Sequence, residues 1–434
     1  MRPRLGGARI GDRVAVATGY SRGVQASPTR IVTLVLVDDG GEVLGQLSAF
    51  PVTTPWWQDA TPVVQAVRER FGLEIVILRL LETERPSAHG GAVSYLAEVD
   101  PGMLARAPGG LQLQPWPGAL TDDPLRRPYA RPGGPAADLA WADHVLAGLG
   151  RTRTGPAVQD RTWNLSSLWR LPTSDGGAWL KVVPPFFSHE GALLERLAGE
   201  PVPRVLGHDG GRMLLAEAPG EDLYDAGGQV LLDMIDMLVG LQTRWLGRVD
   251  DLLRLGLPEW RGDVLAEAIE TVVARASPEL PPAGQDDLAA FVRGLPARLE
   301  SIGACGIPDS LVHGDFHPGN VRGAPGQLTL LDWGDSGIGH PLLAQPAFLT
   351  RIDGGMVASA QRHWHGAWRR VLPGCDPDRA SRLLAPMAAA RQAVMYQGFL
   401  DNIEASEQAY HRADVPDWLE RTAAILRAEG EAST

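Results

Sequence analysis

Cysteine occurs only twice, at Cys305 and Cys375, with no CxxC pair and no histidine cluster at metal-ligand spacing. A disulfide framework and a zinc site are therefore not expected, and both thiols are left to packing. Long apolar runs are missing too, since nothing approaches the roughly 18 residues that a membrane span needs. The opening MRPRLGGARIGDRV is basic but has no apolar stretch behind it, so no secretory signal is expected and the chain is read as cytoplasmic. Basic residues are in deficit, 40 against 52 acidic, for a formal charge of -12. Such a balance opposes a phosphate-backbone partner. Neither nucleic acid nor a membrane is expected as partner, and a small neutral or cationic substrate fits better.

What is present is an ordinary globular composition, with 44% hydrophobic and 21% charged residues over 434 positions. At roughly 150 residues per domain that length allows two or three cores. In the first part, the strand-like Ile31–Val37 is followed by the turn signal DDGG (38–41), a helix-like Thr61–Phe71 closed by Gly72, and an apolar run from Leu73 to Leu81. A further strand-like AVSYLAEV (92–99) follows. This order, with QAVRERFGLEIVILRLL at its centre, resembles the second half of a Nudix fold. By that resemblance Gln65, Ala66, Glu69 and Arg70 occupy the places of the family's arginine and three glutamates, so only Glu69 matches. Nudix chemistry needs several carboxylates on one helix face to hold Mg²⁺ against a pyrophosphate. One glutamate beside an arginine does not supply them, and a structural or sensing domain over 1–114 is expected.

Pro115, Pro117, Pro124, Pro128, Pro132 and Pro135 then crowd one stretch, which reads as a linker over 115–136. After it, Ala137–Leu149 has helical spacing and ends at Gly150, while Thr162–Leu171 and Ala178–Val183 read as strands around the turn PTSDGG. From Gly191 onward most segments have helical periodicity. A small β-rich lobe over 137–220 and a large helical lobe over 221–434 are expected.

The chemistry is concentrated in HGDFHPGN (313–320) and DWG (332–334). Phosphoryl transfer needs a carboxylate to orient the acceptor hydroxyl, oxygen ligands for Mg²⁺ on the phosphates, and a cation to position the nucleotide. Asp315 and Asn320 have the D-x-x-x-x-N spacing of a kinase catalytic loop, and Asp332 follows the strand-like Leu328–Leu331 where a kinase places its DFG aspartate. HGDxxxxN, a strand and then DW together resemble the aminoglycoside phosphotransferase and choline kinase superfamily over residues 155–430. The resemblance implies an α+β, bilobal, protein-kinase-like fold behind the α/β Nudix-like domain. It implies ATP and Mg²⁺, with Asp315 as catalytic base, His313 as a support that fixes the loop, and Asn320 and Asp332 as the metal ligands.

Upstream, AWLK (178–181) ends in the only lysine of the chain, at the family's phosphate-positioning place. Lys181 and Glu190 would form the kinase ion pair, with Glu195 on the same predicted helix as the competing partner. In MLLAEAPGEDL (213–223) the backbone around Glu217 and Ala218 would meet the adenine edge. The turn within WNLSSLWR (163–170) has no glycine where relatives carry one, which leaves Ser166 and Ser167 as phosphate donors, and Ala344 stands where an aspartate is common. On the acceptor side, Asp401, Glu404 and Glu407 recur every third residue on a predicted helix and would attract an amine, although solvated helix faces ordinarily carry such rows.

These residues lead to a kinase that moves the ATP γ-phosphate to a hydroxyl of an aminoglycoside-like or other amino-alcohol acceptor. The alternatives are a nucleotide-binding regulatory protein without catalysis and, third, a diphosphate hydrolase acting through the first domain.

Overall fold

Buried and half-buried residues alternate over Arg30–Leu34 and every residue from there to Val37 is buried, and this segment becomes a central strand of a mixed sheet in the computed structural model, which describes residues 29–84, 89–107, 111–324 and 326–431. The opening read above for a secretory signal lies outside the described residues. In chain order the elements are β1 Arg30–Val37, β2 Val43–Gln46, β3 Phe50–Val52, α1 Thr61–Phe71, β4 Ile75–Thr83, β5 Gly91–Val99, α2 Pro101–Leu104, α3 Gly134–Gly148, β6 Val158–Trp163, β7 Ser166–Thr173, β8 Gly176–Val182, α4 His189–Arg196, β9 Val205–Asp209 and β10 Arg212–Ala216. There follow β11 Glu221–Asp222, α5 Gln229–Arg244, α6 Val249–Leu253, β12 Glu259–Trp260, α7 Gly262–Ala276, α8 Pro282–Gly303, β13 Ser310–Val312, β14 Val321–Ala324, β15 Gln327–Leu330, β16 Gly337–Gly339, α9 Gln345–Leu349, α10 Gly354–Val371, α11 Pro377–Asn402 and α12 Asp414–Glu431. Two compact units result. The first takes the described residues through Gly191 with Arg204–Glu217 and Asn402–Arg412, and the second takes Ala192–Pro203, Ala218–Asp401 and the residues from Ala413 onward.

The first unit contains two sheets. One has the order β2-β1-β5-β4 with β3 on β1, and β1 and β5 run parallel from Arg30↔Gly91 to Val37↔Glu98. Helix α1 lays Val63 and Val67 into the core with Val32, Leu34 and Leu36. It stops where Gly72 takes φ 67° and donates its N–H to the Arg68 carbonyl at 3.0 Å, an ending that only glycine adopts without strain. The other sheet is antiparallel, β6-β7-β8-β10-β9, and packs Leu171, Leu180 and Leu214 against Ala142 and Leu146 of α3.

The single strand expected over Thr162–Leu171 is instead a hairpin broken at Asn164 and Leu165. Asn164 suits a turn, and its amide holds other chain: Nδ2 donates to the Glu407 carbonyl at 3.2 Å while Oδ1 meets His411 Nε2 at 3.0 Å. The proline-rich stretch also departs from a free linker. Trp116 and Leu120 pack on Val35, Val37, Leu78 and Leu96, and the buried Tyr129 hydroxyl donates to the carbonyls of Trp163 and Asn164, each at 3.0 Å. Proline removes backbone donors but does not prevent apolar burial.

Strand β4 is an edge of its sheet, and an edge leaves backbone groups unpaired. Side chains complete it. The Gln159 carboxamide accepts from the Ile77 N–H at 2.9 Å and donates to the Ile77 carbonyl at 2.7 Å, and Glu407 Oε1 accepts from the Leu80 N–H at 2.8 Å.

The second unit is mostly helical. Along α5, Leu231, Met234, Ile235, Leu238, Val239, Leu241 and Gln242 are buried, which is the three- and four-residue rhythm of one helix face. Two three-stranded sheets, β11-β14-β15 and β12-β16-β13, accompany the helices. Among the described residues no helix is long and apolar enough to cross a membrane.

Glu407 gives the first unit a pH dependence. Burial, and next the neighbouring Glu404, raise its carboxyl from 4.5 to about 8. Between those values the unfolded chain releases a proton that the folded chain keeps, so stability falls as pH rises, by at most about 1.4 kcal/mol per pH unit. Glu407→Gln keeps the acceptor for Leu80 and removes the titration. Thermal unfolding of both proteins from pH 5 to 8.5 is expected to open a gap in the variant's favour, and parallel curves would show that Glu407 ionises in place.

Candidate active site

The centre in the second unit is built on a turn and a hairpin. Strand β13 pairs Val312 with Gly337 of β16, and the chain leaves it as His313-Gly314-Asp315. Gly314 has φ 88°, and a Cβ there would stand 1.9 Å from the Asp335 carbonyl oxygen. Glycine is thus required by both conformation and space. The Gly314 carbonyl accepts from Arg391 Nη2 at 2.9 Å, and the Arg391 guanidinium lies 4.2 Å over the Trp260 ring with the side chain 1% exposed.

Hairpin β14–β15 pairs Val321 with Leu330, and the Leu331 N–H donates to the Asn320 carbonyl at 2.7 Å. That register puts Asn320 beside the residue that precedes Asp332. Across the gap, His313 Nε2 meets the Leu331 carbonyl at 2.9 Å and its ring stands edge-on to Trp333 at 4.7 Å. Burial lowers the His313 pKa to about 4, so near neutrality the ring is uncharged and Nε2–H donates. Phe316 stacks on Phe348 at 5.0 Å and meets Trp364 edge-on, which anchors the loop on its apolar side.

The Asp315 carboxylate is surrounded by donors. Its Oδ2 lies 3.2 Å from His317 Nε2 and its Oδ1 lies 3.4 Å from Arg351 Nη2. His317 Nδ1 accepts from the Gly319 N–H at 3.0 Å, which leaves the ring proton on Nε2, facing Asp315. Asn320 Nδ2 donates to the Asp315 main-chain carbonyl at 2.9 Å. Burial pushes the Asp315 carboxyl up, but its interactions with His317 and with the Arg351 guanidinium outweigh it and hold the group well below the usual carboxylate range. Asp332 has φ 59° and is the one non-glycine residue with a left-handed backbone among the described residues. Such a conformation costs on the order of 1–3 kcal/mol and is tolerated where a side chain must point in one direction.

The sequence of this region matches the phosphotransferase enzyme family over residues 164–373. This part of the chain belongs to that family. The chain is a phosphotransferase, and its described residues form a mixed α+β structure. No curated protein sequence matches it. Solved structures similar to it include a macrolide 2'-phosphotransferase from Brachybacterium faecium, 17% identical over 63% of this chain and 97% of that one, with a TM-score of 0.43. A choline/ethanolamine kinase family protein from Mesorhizobium loti is 15% identical over 67% and 95%, at 0.44. An ethanolamine kinase from Plasmodium vivax is 10% identical over 63% and 84%, at 0.48.

In the first unit of the phosphotransferase, Lys181 Nζ donates to Glu190 Oε1 at 2.7 Å, with Glu190 1% exposed and Glu195 exposed. Glu217 spends its N–H on the Gly177 carbonyl at 2.9 Å and its side chain on Arg170 at 3.0 Å, and Ala218 is buried. Ser166 Oγ accepts from the Trp163 indole at 3.2 Å. Ser167 corrects its expected place: it is 1% exposed, turned into the sheet, and its Oγ accepts from the Trp169 indole at 3.0 Å.

The acidic row needs a larger correction. Helix α11 ends at Asn402, so Asp401, Glu404 and Glu407 do not share a helix face. Asp401 is exposed and paired with Arg275 at 2.8 Å. Glu404 is buried in the first unit with Arg126 at 2.8 Å and Arg79 at 3.8 Å, and Glu407 caps β4 as described. The equal spacing is a coincidence of three separate surroundings. Ala344 is fully buried. In α1, Gln65, Glu69 and Arg70 are exposed, and among the described residues no three or more His, Cys, Asp or Glu side chains are grouped to hold a metal.

Sequence reasoning missed His317, Arg351 and Arg391. His317 lies inside the motif, and Arg391 is a lone charge in the apolar run AAARQAV, which was a readable signal of a buried arginine. Arg351 offered none. Asp332→Gly is expected to unfold at the same temperature as the native phosphotransferase or higher, because glycine accepts the left-handed backbone, while losing at least about a hundredfold in turnover. A lower unfolding temperature would mean that the Asp332 side chain is needed for folding.

Proposed function

We propose that the phosphotransferase moves the γ-phosphoryl group of ATP to a hydroxyl of a small acceptor, with Asp315 orienting that hydroxyl. The observation that carries the reading is the convergence of Asp315, Asn320 and Asp332 on one turn and one hairpin, with left-handed backbone confined, among the described non-glycine residues, to Asp332. The donor set suits a hard divalent cation, since Asn320 and Asp332 offer oxygen ligands and leave positions for water and phosphate. Bound Mg²⁺ would neutralise charge on the phosphates.

The remaining roles belong to the chain's own atoms. Lys181, fixed by Glu190, holds the nucleotide phosphates as a point charge. The Asp315 carboxylate stays ionised, accepts the hydroxyl as a hydrogen bond and takes its proton as the new ester bond forms. His313 stays neutral and ties the Asp315 turn to the strand end before Asp332. The division into a structural domain over 1–114, a stretch over 115–136 and lobes over 137–220 and 221–434 belongs to the same proposal.

A second reading, nucleotide binding without transfer, is favoured by one feature, the glycine-free turn whose Ser167 is buried under Trp169. Mg²⁺-dependent ADP formation across hydroxylated acceptors separates the two. Acceptor-stimulated turnover that Asp315→Ala lowers at least about a thousandfold, with ATP binding retained, is the expected result. ATP binding that persists in Lys181→Met, or acceptor-stimulated turnover unaffected by Asp315→Ala, would overturn these assignments.

A further inference from the structure

The turn between β6 and β7, Asn164 and Leu165, is held by side chains from outside the matched residues 164–373. One hydroxyl, that of the buried Tyr129, meets the carbonyl oxygens of both Trp163 and Asn164 at 3.0 Å. A trans peptide points its carbonyl and its N–H in opposite directions. The N–H groups of Asn164 and Leu165 therefore face away from Tyr129, one after the other, and neither is taken by another group among the described residues. Successive N–H groups presented by a turn make an anion-binding concavity. Neither residue has a left-handed backbone, so this turn needs no glycine.

The same turn is tied to the segment 404–411. Asn164 uses its Nδ2 on the Glu407 carbonyl and its Oδ1 on His411 Nε2, while the Trp163 ring stands edge-on to Tyr410 at 5.5 Å and lies 5.6 Å from the His411 ring. Glu404 on Arg126 and Glu407 on the Leu80 N–H anchor that segment within the first unit. Packing alone would account for these contacts if the turn stood away from any site, and the sheet register decides against that. Trp163 pairs with Ser166, and two residues further along β7 Leu168 pairs with Lys181. The turn thus closes the sheet roughly 7 Å along the strand from the lysine assigned to the phosphates. A loop that orders itself around a ligand loses conformational freedom on binding, whereas a turn already held loses little.

We infer that Tyr129, Asn164 and His411 are positioning residues of the nucleotide site, which hold the β6–β7 turn with its N–H groups set toward the phosphate oxygens of ATP. Fixed contacts do here what glycine's freedom would do in a mobile loop. The inference rests on the reading of Lys181 as the cation that holds the nucleotide phosphates. Ser167, buried under Trp169, is not needed as a phosphate donor in this arrangement, since the turn supplies main-chain donors of its own.

The test is calorimetric titration of the full chain with ATP in the presence of Mg²⁺, with the unfolding temperature of each variant measured alongside. Tyr129→Phe keeps the buried ring and removes the hydroxyl, and His411→Ala removes the donor to Asn164. Each should raise the Kd for ATP about fivefold or more, and with any acceptor that is turned over the KM for ATP should follow while kcat and the acceptor KM change less than about twofold. His411→Gln retains an amide donor for Asn164 Oδ1 and should recover part of the loss. A lowered unfolding temperature with an unchanged Kd would show that these contacts only hold the fold, and overturns the inference. Tighter ATP binding in Tyr129→Phe or His411→Ala would make the clamp a restraint against the nucleotide, and overturns it as well. Failure of the underlying reading is seen separately: the native chain binds no ATP, or Lys181→Met binds it as tightly as the native chain, and the inference then falls with it.

Discussion

The turn that carries Asp315 depends on the direction in which one carbonyl points. Gly314 must take a left-handed backbone because the Asp335 carbonyl occupies the space of any side chain, and its own carbonyl is then received by Arg391 from the middle of α11. A buried guanidinium is costly unless several weak partners share it, and here the Trp260 face, the Gly314 carbonyl and the charges of Asp335 and Asp315 do so. In return the turn is fixed from both sides, by Arg391 on one and by His313 on the Leu331 carbonyl on the other. Asp315 therefore sits on a rigid support, which is what an orienting group needs, since most of the gain in phosphoryl transfer comes from position and electrostatics.

The first unit solves a different problem with the same kind of device. Strand β4 ends its sheet, and its free backbone groups are satisfied by side chains from distant parts of the chain, Gln159 from β6 and Glu407 from the segment after α11. Unpaired backbone groups in a buried position cost as much as a lost hydrogen bond, so these polar side chains are structural despite their chemistry. Glu404 follows the same logic, with Arg126 and Arg79 around it. Residues 402–412 thus belong to the first unit although helices of the second unit flank them in sequence.

Local signals were legible and distant ones were not. The bounds of α1, with its glycine ending, follow from composition and turn chemistry within a few residues of each other. The order HGDxxxxN, strand, DW carries its own geometry, because one short hairpin suffices to bring Asn320 next to the residue before Asp332. Arg351 is separated from Asp315 by 36 positions (351 − 315), and nothing in its sequence neighbourhood distinguishes it from the other arginines. The row at Asp401, Glu404 and Glu407 misled for a related reason. Spacing implies a shared face only while the helix lasts, and α11 stops within the row.

The use of one lysine among 40 basic residues is consistent with this division of labour. Arginine keeps its charge when buried and spreads its donors over a plane, so it suits Arg391 stacked on Trp260 and Arg351 beside a carboxylate. Lysine carries a compact charge on a flexible stem. Lys181 is 13% exposed and fixed by a glutamate that is itself buried, which confines that stem to one direction. Arginine thus serves at the two packed positions around the Asp315 turn, and the one lysine stands where a buried glutamate fixes a compact cation.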